Sequence, residues 1–169
     1  EYTSRNADYA NPYVRYATPY NQIKNANDIL KAYAGREDAP AVNIIAQTRT
    51  IRAFDYLSLA PYFQFKYVGN EDKPCVPKVT EETTDFANNP RATVKEIYDL
   101  ILSDLNYAVE NLTVARVSKA RINKTVALGL RARVYMNMEK WAEAAADAQA
   151  ALDLCKEERL SPATANDLT

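Results

Sequence analysis

The chain has 169 residues, of which 47% are hydrophobic and 25% charged, proportions that are typical of a soluble globular protein. Its formal net charge of −1 disfavours a surface for nucleic acid or for an anionic membrane. The sequence contains no histidine, which removes Ser-His and Cys-His nucleophile pairs, histidine metal sites and the commonest general base. We therefore predict no catalytic residue, no metal ligand and no cofactor.

A stripe of aromatic and apolar residues predicts the first helix. These residues recur at steps of three and four from Tyr9 to Leu30. Pro19 interrupts the stripe, so we expect either a kink or a new helix start with Thr18 as N-cap. Gly35 predicts the end of the helix. The tyrosines that we assign to its packing face are Tyr13, Tyr16 and Tyr20.

A second helix is predicted over residues 40–59, with Asp38 near its start. The stretch that follows, residues 69–89, contains two prolines, few apolar residues and several acids. We predict an ordered but irregular loop there, extended at residues 74–77 because the prolines forbid helix.

Three further helices are predicted in the second half of the chain. Thr93 and Glu96 match a capping box, which predicts the start of the third helix. The fourth is predicted over residues 124–137. The fifth, over residues 140–155, is rich in alanine and has a high helix propensity.

The domain boundary and the state of the cysteines are further expectations. Residues 1–160 are predicted to form a single domain and residues 161–169, which show no periodicity, a tail. Cys75 and Cys155 match no metal-ligand spacing. Two reduced thiols are favoured over one disulfide.

An internal repeat indicates the architecture. Residues 52–56 and 131–135 both begin with Arg-Ala and end with Tyr, and each copy precedes a segment that has an aromatic residue followed by apolar ones at +3, +7 and +10. This pattern predicts two tetratricopeptide-like helical hairpins, the first carrying an insertion of about 36 residues. The residues that the repeat predicts to be buried are Ala53, Tyr56, Ile101, Leu105, Ala132, Tyr135, Trp141 and Ala148.

The ordered set of segments resembles the SusD/RagB family of outer-membrane nutrient-binding lipoproteins. Each segment is short, but all of them occur in the family's order. They span residues 20–30, 52–59, 74–77, 91–108, 121–135 and 141–144.

The resemblance implies an all-α scaffold of tetratricopeptide-like hairpins. It also implies a non-catalytic role in binding oligosaccharide or polysaccharide for uptake, beside a TonB-dependent outer-membrane transporter of the SusC type. The parent protein would be lipid-anchored and exposed on the cell surface. Because the chain begins at Glu1 without the lipidated cysteine, we expect a piece of a larger protein, whose membrane contact depends on an anchor that this chain lacks.

The resemblance also suggests where a glycan would bind. Members often bind sugar just upstream of the first helix, where this chain has Tyr2, Arg5 and Tyr9. We predict glycan contacts at these three residues. The basic run at residues 116–124 could bind an acidic glycan, but a solvated connector is the favoured interpretation.

Two other function classes are alternatives. A generic tetratricopeptide-type scaffold could bind a protein or peptide in a concave groove, and this is the main alternative. A small enzyme is disfavoured because adjacent acids on a solvated loop do not provide the two facing carboxyls that glycoside hydrolysis needs.

Overall fold

The computed structural model describes residues 10–63, 66–116 and 118–157. Within these residues, five helices pack one on the next and a two-stranded ribbon lies beside them. The elements, in chain order, are α1 (Ala10–Ala32), α2 (Ala39–Phe63), β1 (Pro74–Pro77), β2 (Arg91–Thr93), α3 (Val94–Asn111), α4 (Lys124–Asn137) and α5 (Trp141–Glu157). The predicted all-α class is confirmed.

α1 lies within its predicted range, and α2 is one turn longer than predicted. α1 runs continuously through Pro19, so the predicted alternative of a new start at Thr18 is wrong. Its packing against α2 maintains the helix although the proline cannot donate a backbone hydrogen bond. Gly35 lies beyond its end with a φ of 75°, as a C-terminal glycine should. Asp38 caps α2 by accepting a hydrogen bond from the backbone N–H of Ala41 at 3.1 Å.

The connection between α2 and α3 contains the ribbon. β1 is extended as its prolines predicted, and it pairs antiparallel with β2, a pairing that the sequence analysis did not predict. The capping box at the start of α3 is confirmed: Glu96 N–H donates to Thr93 Oγ1 at 3.1 Å, and Thr93 N–H donates to Glu96 Oε2 at 2.7 Å. α3 therefore begins at the predicted position.

The main core lies where α1, α2, α3, β1 and α4 meet. Its apolar side chains come from positions three and four residues apart on each helix, which places them on one face. The largest fully buried apolar side chains are Tyr56, Ile23, Leu59, Ile97, Ile101, Leu105, Val76, Val94 and Val134.

The two copies of the repeat differ in burial. The predicted core residues of the first copy and Ala132 of the second are buried, and Tyr135 is half-buried. The prediction is wrong for Trp141, which is 63% exposed, and for Ala148, which is exposed. The reason is that α4 packs on α3, whereas no element among the described residues covers the equivalent face of α5.

A buried arginine joins the elements of the first copy. Arg52 donates Nε–H and Nη2–H to the two oxygens of Asp104 at 2.7 and 2.8 Å. Its Nη1 group donates to Asn27 Oδ1 at 2.7 Å and also to Glu81. One guanidinium therefore connects α1, α2, α3 and the connection that precedes β2.

The same arrangement occurs in the second copy. Arg131 donates Nε–H and Nη2–H to Asp147 at 2.6 and 2.7 Å, and Nη1–H to Asn106 at 2.9 Å. Asp104 and Asp147 both stand six residues after the aromatic residue of their copy. The sequence therefore contains this signal, although apolar periodicity does not show it.

Two further predictions concern the basic run at residues 116–124 and the two cysteines. Arg116 donates to the backbone oxygens of Lys119 at 3.3 Å and Arg121 at 3.1 Å, so this basic run holds its own loop. Cys75 is buried and Cys155 half-buried, and no disulfide joins them. The predicted tail at residues 161–169 lies outside the described residues and stays a prediction.

We predict that the two aromatic residues at equivalent positions contribute very differently to stability. Tyr98→Ala should lower the free energy of unfolding by about 3–5 kcal/mol because the ring is 3% exposed. Trp141→Ala should change it by less than about 0.5 kcal/mol because its ring is mostly in solvent. Denaturant unfolding of both variants measures this, and equal losses would contradict the difference in burial.

We also predict that the buried ion pair is essential once its arginine is in place. Asp104→Ala should cost about 3–5 kcal/mol because it leaves the Arg52 guanidinium buried with an incomplete set of acceptors. Asp147→Ala is the matched control and should cost less, since Arg131 is 18% exposed and water can reach it. Chemical denaturation compares the two, and a loss at Asp104 no larger than that at Asp147 would contradict the prediction.

Candidate functional site

Exposed aromatic rings cluster where the start of α1 meets the end of α2. Tyr13 is 64% exposed, Tyr62 65% and Tyr16 39%. The assignment of Tyr13 to a packing face is therefore wrong, and Tyr16 is only partly packed. The physical reason is that the stripe of α1 extends past the core that would cover it, a limit that periodicity cannot reveal.

The rings are held in a defined arrangement. Tyr16 packs edge-on against Phe63 of α2, with 5.3 Å between ring centroids. The guanidinium carbon of Arg15 lies 4.8 Å from the centroid of the Tyr62 ring, a cation–π contact that crosses between the helices. Tyr13 lies one turn before Tyr16 on α1. We call the set of Tyr13, Arg15, Tyr16 and Tyr62 the aromatic patch.

Tyr20 connects the aromatic patch to the core. Its ring lies 4.7 Å from that of Tyr16, and its hydroxyl donates to the backbone oxygen of Pro77 at 2.6 Å. Burial raises the pKa of Tyr20, and the neighbouring Tyr56 and Tyr16 raise it further. Tyr20 therefore stays neutral and supports the exposed rings from below. Its predicted packing role is correct.

The predicted glycan contacts Tyr2, Arg5 and Tyr9 lie outside the described residues. Tyr9 precedes Ala10, the first residue of α1, so the chain enters the helix next to the aromatic patch. The role of these three residues stays a prediction. The described neighbours add two exposed rings, Tyr13 and Tyr62, that the sequence analysis did not assign to a site.

Flat, exposed rings can bind the apolar faces of a ligand. The C–H faces of a sugar stack on aromatic rings, and tyrosine hydroxyls can hydrogen-bond to the sugar's own hydroxyls. A guanidinium over one ring adds up to five N–H donors. The patch thus combines the groups that bind sugars, without a pair of carboxyls facing a common bond.

The surroundings of Asp55 shift the pKa of its carboxyl strongly. It is buried between α2 and α1, beside the Gln22 amide. Burial raises the pKa of Asp55 to about 7. The equivalent position of the second copy is Val134, which is fully buried, so Asp55 places a polar group at a core position.

Two further observations concern membranes and metals. None of the described helices has both the length and the apolar character to cross a bilayer. The described residues also contain no cluster of three or more cysteine, aspartate, glutamate or histidine side chains that could hold a metal ion.

Comparison with known proteins identifies relatives in one family. Residues 1–136 match the SusD-like family described as "Starch-binding associating with outer membrane". A SusD-like protein of Bacteroides ovatus is 25% identical over 130 residues, which are 72% of this chain and 22% of that protein.

Solved structures show the same fold. A SusD superfamily protein from Bacteroides fragilis is 27% identical with a TM-score of 0.72, over 84% of this chain and 35% of that one. A laminarin-binding SusD-like protein is 26% identical with a TM-score of 0.66, over 80% and 29% of the two chains. This chain thus spans about a third or less of the length of these relatives.

We predict that Asp55 makes stability depend on pH. The folded protein holds the Asp55 proton more tightly than the unfolded chain, whose aspartate has a pKa near 3.8. The contribution of Asp55 is therefore complete below about pH 3.8 and is lost as the pH rises towards 7. Asp55→Asn stays neutral, so at pH 8 it should be more stable than the wild type by about 1–4 kcal/mol.

The measurement is denaturant unfolding of both proteins from pH 4 to pH 8. The difference between them should vanish near pH 4. Asp99→Asn is the control because Asp99 is 52% exposed in a surface pair with Lys95. If Asp99→Asn shows the same pH-dependent gain, the effect comes from net charge and not from the burial of Asp55.

Proposed function

Because the chain belongs to the SusD-like family, whose description refers to starch binding and to association with the outer membrane, we propose that it acts in a non-catalytic glycan-binding component of an outer-membrane uptake system. One of its relatives is described as binding laminarin, which supports a polysaccharide or oligosaccharide as ligand. The proposal concerns the whole protein, of which this chain would supply the helical surface.

The aromatic patch is the observation that carries this proposal. Tyr13 and Tyr62 are each about two-thirds exposed, at the end of the molecule where the chain enters α1. Burying an exposed tyrosine ring against a sugar face stabilises a complex, whereas an unoccupied exposed ring contributes little to folding. The proposed glycan site therefore consists of the patch together with Tyr2, Arg5 and Tyr9.

The mode of action follows from the rigidity of this surface. The core and the Arg52 ion pairs fix α1 and α2, so the rings need little ordering when a ligand binds. The site holds and releases its ligand and carries out no bond-breaking step. In the whole protein we further propose a lipid anchor at the cell surface and a TonB-dependent transporter of the SusC type as partner.

A generic helical scaffold for protein partners remains the second candidate. One observation favours it: the outer face of α5 exposes Trp141, Ala148 and Leu152, at positions that form an apolar stripe. Such a stripe suits a partner helix better than a sugar, because small alanines allow two backbones to approach closely. The two functions predict different surfaces and can be separated by mutation.

We predict weak glycan binding that depends on the patch. Calorimetry with soluble laminari-oligosaccharides and starch oligosaccharides should give a Kd on the order of millimolar, since few rings contact the ligand. The double variant Tyr13→Ala/Tyr62→Ala should weaken binding about ten-fold or more. A longer parent protein should bind more tightly.

Trp141→Ala is the matched control, because this ring is 63% exposed but lies on α5. It should leave glycan affinity unchanged. If the double variant binds as well as the wild type, the patch is not the glycan site. If the control weakens binding equally, the interaction is a non-specific preference for exposed rings.

A further inference from the structure

A groove separates the middle of α1 from the connector segment, residues 79–86. Its volume is about 480 Å³, within the range of small-ligand sites. It lies beyond the aromatic patch towards the C-terminal end of α1, because its helix residues are Tyr20, Lys24, Asn27, Asp28 and Lys31. Tyr20, at its near end, contacts Tyr16 of the patch. The aromatic patch contributes none of its lining residues.

The walls of the groove are held together by hydrogen bonds. Asn27 Nδ2 donates to the backbone oxygen of Val79 at 3.1 Å, which links α1 to the connector segment. Tyr56 fixes the same residue, because its hydroxyl accepts a hydrogen bond from Val79 N–H at 2.7 Å. Glu81 is paired with the buried Arg52. The groove is therefore formed before any ligand arrives.

The polar groups of the groove suit hydroxyl groups. Lys24 and Asp28 form an ion pair at 2.8 Å, with both side chains largely in solvent, which offers a donor beside an acceptor. Burial acts to raise the pKa of Glu81, but the hydrogen bond from Arg52, a backbone hydrogen bond and the charges of Arg52 and Arg49 together lower it, so Glu81 is an ionised acceptor. Thr83 Oγ1 accepts from Thr80 N–H at 2.9 Å and keeps its proton to donate.

An apolar ring completes the groove. Phe86 lines the groove and is 66% exposed. Phenylalanine has no polar group that would keep it in solvent. A pyranose has a C–H face and an edge of hydroxyls. The exposed ring can pack on the C–H face while the neighbouring donors and acceptors bind the hydroxyls.

The charges of the groove favour a neutral ligand. Lys24 balances Asp28, and Arg49 and Arg52 together balance Asp104 and Glu81. Lys31 is then the one lining cation without an ion-pair partner among the described residues. A single excess charge in solvent contributes little, so an acidic sugar gains no large advantage.

We propose that this groove is a second sugar site, which binds one neutral pyranose unit of a glycan with its C–H face on Phe86 and its hydroxyls on the Lys24–Asp28 pair and Glu81. The proposal rests on the proposed function, because it takes a glycan as the ligand of the chain. It differs from it in place, since the aromatic patch and the groove use different residues.

The test is a two-dimensional amide NMR titration with glucose and laminari-oligosaccharides, followed to millimolar concentrations. We expect the amides of residues 24–31 and 79–86 to shift on a binding curve of their own. Phe86→Ala should weaken that curve about five- to ten-fold, and Asp28→Asn should also weaken it. Both side chains are exposed, so neither variant should disturb the fold.

The outcomes separate the two proposals. Shifts confined to the amides around Tyr13 and Tyr62 would overturn the second site and leave the proposed function intact. Shifts at the groove that survive in Tyr13→Ala/Tyr62→Ala would support the second site. Binding of glucuronate more than about ten-fold tighter than that of glucose would overturn the assignment to a neutral sugar. No shift with any sugar would overturn both proposals.

Discussion

The buried guanidinium of Arg52 is the constraint on which the rest of the structure depends. A charged group removed from water must have its donors satisfied, and here the acceptors come from Asn27 of α1, Asp104 of α3 and Glu81 of the connector segment. If any of these elements moves away, the buried guanidinium loses an acceptor for its N–H groups. The ion pairs therefore set the relative positions of helices that apolar packing alone would allow to slide.

The arginine–aspartate ion pair occurs in both copies of the repeat, but its surroundings differ between them. Arg131 also makes two hydrogen bonds to an aspartate, Asp147, and one to an asparagine, but on a face that solvent reaches. In the first copy, the connector segment covers the Arg52–Asp104 pair and places Glu81 beside Arg52. The connection between α2 and α3 thus makes this ion pair a support for one wall of the groove, while the start of α1 extends past the core and exposes the aromatic patch.

The local features of the fold could be predicted because their causes are local. Each predicted feature depends on residues only a few positions apart: the periodicity of apolar residues, the capping box at Thr93 and the two prolines of β1. The extra turn of α2 and the passage of α1 through Pro19 escaped prediction because neighbouring helices supply the stabilisation. The ion pairs of Asp104 and Asp147 escaped prediction because apolar periodicity does not include charged residues.

The sequence by itself determined the class of fold, the helix faces and the family, since all three depend on ordered short patterns along the chain. The tertiary structure decided which of those faces solvent reaches. Tyr98 and Trp141 hold equivalent places in one pattern, yet the first is buried and the second exposed. The physical reason is that a helix face is buried only if another element packs on it. The residues of that face do not determine whether such an element is present.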